Sequence, residues 1–118
     1  MRLFGAIAFA AVASASVAYA ADDPFANLFS NTLVYTSPKH VVMKVLVQKD
    51  GTWTSTASDN KTDNGAWATL GNYVCISDAA MPKAKPDCDK IKPRNIGDKW
   101  TQKMRNGTVD KVTLVSGR

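Results

Sequence analysis

A chain of 118 residues carrying a net charge of +5 has room for one domain around one core. All ten acidic residues are Asp, and there is one histidine and one pair of cysteines. The absence of Glu thins the field of acid–base catalysts. A zinc site is excluded because the two cysteines are expected to be bridged and no second histidine exists.

Residues Met1 to Ala20 fall into three zones: Arg2 as a short basic start, an apolar run from Leu3 to about Val17, and Ala18-Tyr19-Ala20 as an A-x-A cleavage signature. The apolar run is rich in Ala and Ser and falls short of the ~20 residues a spanning helix needs. A cleaved secretory signal peptide over residues 1–20 is therefore expected. Residues 21–118 then form a single β domain of roughly 98 residues, periplasmic or secreted, with no transmembrane segment left after cleavage. Cleavage removes Arg2 and leaves a net charge of about +4.

Past the leader, Asp23-Pro24 reads as a helix start, and Phe25, Leu28 and Phe29 at i, i+3 and i+4 predict a short N-terminal helix with one apolar face. Such a helix would plug an open end of the sheet. From about residue 30 the turn signals recur at the spacing of a β-meander, and Thr, Val and Trp are plentiful.

Strands are expected at Asn31–Tyr35, Val41–Gln48 and Thr52 to about Ala57. Between the second and third, a two-residue turn would set Trp53 on the polar side. A three-residue loop Lys49-Asp50-Gly51, with Gly51 left-handed, pairs Val47 with Trp53 and gathers the large apolar groups on one face. A misplaced Trp would expose several kcal/mol of burial at ~25 cal/mol per Å², so the three-residue loop is preferred.

The polar stretch Ser58–Gly65 is expected to be a connection, and a fourth strand to run from Ala66 to Leu70. Gly71-Asn72 turns the chain back through Tyr73–Ile76. Ser77–Gly97, with three Pro and many Lys, reads as a long loop. Two last strands, Lys99–Arg105 and Val109–Ser116, flank Asn106-Gly107, where the same register argument puts Trp100 on the face of Val112. In an oxidising compartment Cys75 and Cys88 read as one disulfide, closing a loop of about 14 residues and contributing roughly 3 kcal/mol. The fold expected is all-β: an antiparallel up-and-down meander of about seven strands, closing into a barrel or a half-open sandwich.

Several stretches together resemble a group of short exported proteins of alphaproteobacteria. They are Asp23-Pro24-Phe25, Asn31-Thr32, Asp50-Gly51-Thr52-Trp53, Gly65-Ala66-Trp67, Cys75, Gly97-Asp98-Lys99-Trp100 and the ending Val112–Arg118. The resemblance covers nearly the whole of residues 21–118 and departs in the Lys-rich loop after Cys75. Its motifs are turn and strand signatures. It implies the β fold and the exported compartment, and carries no activity or site residues with it.

For chemistry, His40 beside Pro38 and Lys39 reads as an exposed turn residue, no nucleophile-elbow or phosphate-cradling motif is present, and the Asp residues read as turn caps. No catalytic residues, metal or cofactor are expected. The feature above background is basic: Lys83, Lys85, Lys90, Lys92, Arg94, Lys99, Lys103 and Arg105 against Asp87, Asp89 and Asp98, with Lys99, Lys103 and Arg105 expected on one strand face. These eight are the candidate binding residues. The partner they suggest is an anionic envelope component or an acidic protein. Nucleic acid is disfavoured by the compartment and by aromatics that point inward.

The function expected is thus a non-enzymatic envelope protein binding through a basic face. The alternative is a lipocalin-like carrier of a small apolar ligand among Trp53, Trp67, Tyr73 and Trp100, and a weaker one an enzyme of unknown type. Against the carrier stands volume: side chains from so short a chain are expected to fill a seven-stranded barrel.

Overall fold

A computed structural model describes residues 23–118; the expected leader lies outside the described residues. Eight strands form one antiparallel sheet: β1 (Thr32–Thr36), β2 (Val42–Val47), β3 (Thr52–Ala57), β4 (Thr62–Leu70), β5 (Tyr73–Asp78), β6 (Asp87–Lys90), β7 (Lys99–Lys103) and β8 (Val109–Val115). The spatial order is β6-β5-β4-β3-β2-β1-β8-β7. Because β8 pairs with β1, the order is that of an up-and-down barrel cut open between β6 and β7. The result is a half-barrel whose two edges are consecutive in sequence.

One turn device is used four times. Three-residue loops at 38–40, 49–51, 58–60 and 105–107 each put their last residue at positive φ: His40 at 65°, Gly51 at 92°, Asn60 at 68° and Gly107 at 90°. In each, that residue's amide also donates back to the carbonyl opening the loop, as Gly51 N–H does to Gln48 O at 3.2 Å. This geometry matches the strand twist and fixes the register. Val47 accordingly faces Trp53, and Trp100 faces Val112, as burial of the two indole rings requires.

Three expectations are corrected. The strand count is eight because Asp87–Lys90, expected within a loop, pairs with β5. Its sequence Asp-Cys-Asp-Lys has little strand propensity, but Cys88 lies directly opposite Cys75 and the disulfide between them holds it there. The fourth strand begins at Thr62 rather than Ala66, since the ladder to β3 recruits the polar residues that looked like loop. The N-terminal segment is a series of turns rather than a helix. Ala26 N–H donates to Asp23 O and Leu28 N–H to Phe25 O. The carbonyls a helix would need are taken by side chains: Asn31 Nδ2 holds Asn27 O at 2.7 Å, and Arg118 holds Leu28 O at 2.9 Å. So short a segment could not cover the cost of helix nucleation alone.

The segment still acts as a plug. Leu28 packs on the core, and Phe25 and Phe29 sit 5.1 and 5.9 Å from the Trp67 ring centroid. The core itself is small: Leu33, Val45, Val112 and Leu114, all on β1, β2 and β8.

Candidate functional site

Alternation along the strands sorts side chains onto two faces of the curled sheet. The inner face carries Leu33 and Tyr35 from β1, Met43, Val45 and Val47 from β2, Trp53 and Ser55 from β3. It continues with Asp63 and Trp67 from β4, Val74, Ile76 and Asp78 from β5, Asp87 and Asp89 from β6, and Trp100 and Gln102 from β7. These line a half-open cavity of about 430 Å³. The expectation that side chains would fill the barrel is not met, because the sheet leaves its ring open between β6 and β7. All three tryptophans line the cavity. Tyr73, expected among them, is instead exposed beside the β4–β5 turn.

The aromatic positions are fixed by polar anchors. Trp67 Nε1 donates to Gln48 O at 2.9 Å, and Trp53 Nε1 to Ser77 O at 3.1 Å. The Trp53 ring lies over Gly65, where a Cβ would collide with the ring and with the Ser77 carbonyl. Glycine is needed there for space, not for its backbone freedom.

The opening between β6 and β7 is bridged by side chains. Gln102 Nε2 donates to Asp89 Oδ2 at 2.6 Å; Arg105 meets Asp87 at 3.2 Å and donates to Lys85 O at 3.0 Å. The connection from β6 to β7 folds under the barrel, tied by Asn27 Nδ2 donating to Arg94 O at 2.8 Å. It carries Arg94 inward, its guanidinium 3.8 Å from the Trp100 ring centroid.

Acidic groups gather on this inner face. Asp50, Asp59 and Asp98 do cap turns, as expected of Asp, accepting from Thr52, Lys61 and Asn95 amides. Asp63, Asp78, Asp87 and Asp89 stand on strands whose parity turns them into the cavity, and Asp78 also caps a turn by accepting from the Ala80 amide. Asp110 shares the β8 face of Val112 and Leu114, is only 7% exposed and is not among the cavity-lining residues; its Oδ1 has no hydrogen-bond partner among the described residues. Burial holds its carboxyl above the ordinary range. Burial and then the hydrogen bond with Asp78 do the same for Asp63. Burial, followed by the charges of Asp110 and Asp89, pushes the Tyr35 phenol up to about 12, with Arg94 opposing.

The eight basic candidates are not brought onto one face. Lys83 and Lys85 lie in the β5–β6 connection, exposed; Lys90, Lys99 and Lys103 stand exposed on the edge strands. Arg105 belongs to the β7–β8 loop, so it does not share a strand face with Lys99 and Lys103. Lys90, Lys92, Arg94, Lys103 and Arg105 border the cavity, and of these Arg94 is turned onto Trp100. The inward acids were missed by the sequence reasoning, although alternation from Leu114 through Val112 to Asp110 marks that residue as inward. His40 is an exposed turn residue.

No known protein family, curated protein or solved structure matches the chain.

Proposed function

We propose that this is an exported, non-enzymatic binding protein of the cell envelope that holds a small amphipathic ligand inside its half-barrel. The observation that carries this is the cavity: about 430 Å³, lined by all three tryptophans and by apolar side chains of β1, β2 and β5, with charged groups supplied by β4, β5, β6 and β7. Ligand pockets have this composition and typically measure ~300–1,000 Å³. The disulfide suits an oxidising compartment, and hence the exported location. The basic residues retain a second reading. Lys90, Lys99 and Lys103 are exposed on the two edge strands, where an acidic partner could dock on the outside.

Titration of tryptophan fluorescence with single-chain amphiphiles tests the first reading. Trp53, Trp67 and Trp100 all line the cavity, so occupancy must shift or quench emission saturably. Ile76→Trp, which fills the cavity from β5, should weaken binding. An interaction indifferent to Ile76→Trp, but lost in high salt or on reversing Lys99 and Lys103 to Glu, would refute the cavity reading and support outer docking.

A further inference from the structure

We propose that the ligand of the cavity is a single-chain amphiphile with an anionic head, held at the opening between β6 and β7 by Lys90, Lys92 and Lys103. This rests on the cavity being a ligand site and adds the charge and the place of the ligand's head. β6 and β7 are the two edges of the sheet, and Gln102 Nε2 donates across the opening to Asp89 Oδ2 at 2.6 Å. Each edge sets a lysine directly after a member of that bridge: Lys90 follows Asp89, and Lys103 follows Gln102. Lys92 lies two residues beyond Lys90. All three border the cavity while staying exposed. Both lips of one opening thus offer an ammonium to an anion lodged between them.

The other charges around the cavity are already answered. Asp87 is bound to Arg105, Asp63 shares a hydrogen bond with Asp78, and Asp89 accepts from Gln102. Arg94 rests on Trp100. Lys90, Lys92 and Lys103 are left with no ion-pair or side-chain hydrogen-bond partner among the described residues. Lysine stems can lie along an apolar chain while their ammonium groups stay in water, beside a charged head at the mouth. Trp100, two residues from Gln102 on the same strand face, begins the apolar lining behind the opening. At about 430 Å³ the cavity is near the lower end of the ~300–1,000 Å³ range of ligand pockets, which suits one chain rather than two.

The chain's charge of +5 draws any anion towards it, so the test must separate these three lysines from the rest. Calorimetry on the disulfide-bonded protein at low salt compares three probes of one chain length, dodecanoate, dodecanol and dodecylamine, below their aggregation limits. Dodecanoate should bind at least about fivefold tighter than either other probe. Lys90→Gln, Lys92→Gln and Lys103→Gln together should erase that margin. Dodecanol binding and the melting temperature should stay as they were, because exposed substitutions cost little. Lys44→Gln, Lys61→Gln and Lys111→Gln together lower the net charge equally at exposed positions that do not line the cavity, and should keep the margin. Equal binding of acid and alcohol, tighter binding of dodecylamine, a margin that survives the first triple variant, or one lost equally in the second would overturn the proposal while leaving the cavity reading intact. Failure of all three probes, or dodecanoate binding indifferent to Ile76→Trp, would overturn both.

Discussion

The two walls of the half-barrel are built differently. β1, β2 and β8 interlock around Leu33, Val45, Val112 and Leu114, two of them fully buried, and the plug packs its Leu28 against them. β4, β5 and β6 hold no fully buried residue; β4 and β5 are at most half-buried, every residue of β6 is exposed, and Ile76 of β5 remains 39% exposed. The first wall is held by apolar burial, the second chiefly by a disulfide, ladders and side-chain bridges across the opening, with the plug's Phe25 and Phe29 against Trp67. A sheet held on one side by covalent and polar ties need not collapse inward, which is how a short chain keeps an interior unfilled.

The largest effect that separates the walls is a cavity substitution. Leu114→Ala should cost about 2–5 kcal/mol in denaturant unfolding, whereas Ile76→Ala should cost under about 1 kcal/mol. Comparable losses would mean that the open wall packs more tightly than its exposure indicates. Next comes the disulfide. Replacing Cys75 and Cys88 by Ser should remove about 3 kcal/mol. Hydrogen exchange should quicken first in β6 and β5, with β1, β2 and β8 still protected.

A smaller effect has the opposite sign. Asp110→Asn should raise stability by about 1 kcal/mol, since it removes a buried charge without a partner. The gain should depend on pH. With the folded-state carboxyl held above its ordinary value, the unfolded chain gives up the proton first, so stability falls as pH rises through that interval. Acidification towards about 4 returns the proton to Asp110, and the advantage of the variant should shrink. Gln102 stands opposite this group in the β7–β8 ladder, and the Tyr35 phenol lies near enough to feel its charge. The smallest effect is at the opening: Arg105→Ala breaks an exposed ion pair with Asp87 and should cost only about 0.5 kcal/mol in melts at low salt.

Much of the first wall was legible in the sequence. Val41 to Gln48 alternates cleanly, and placing Trp53 and Trp100 inside was enough to choose three-residue loops at Lys49–Gly51 and Arg105–Gly107. The disulfide followed from compartment and count. The second wall was not legible, because its strands lack the signals that burial imposes. Thr62–Gly65 is polar, and Asp87–Lys90 lies between prolines in a Lys-rich stretch; both are strands through pairing with a neighbour. The cavity was illegible for the same reason, as its existence depends on where the ring fails to close. The basic residues stood out in composition because they are exposed. The acids that turn inward are dispersed over β4, β5, β6 and β8, and only the folded sheet assembles them.

The central claim is that the interior, rather than the basic exterior, is the binding surface. The most direct measurement is a two-dimensional amide and indole NMR spectrum of the labelled protein during titration with a single-chain amphiphile. All three indole N–H resonances, Trp53, Trp67 and Trp100, should move saturably together with the Gln102 amide. Unmoved indole resonances, with shifts confined to the exposed Lys90, Lys99 and Lys103, would contradict the account.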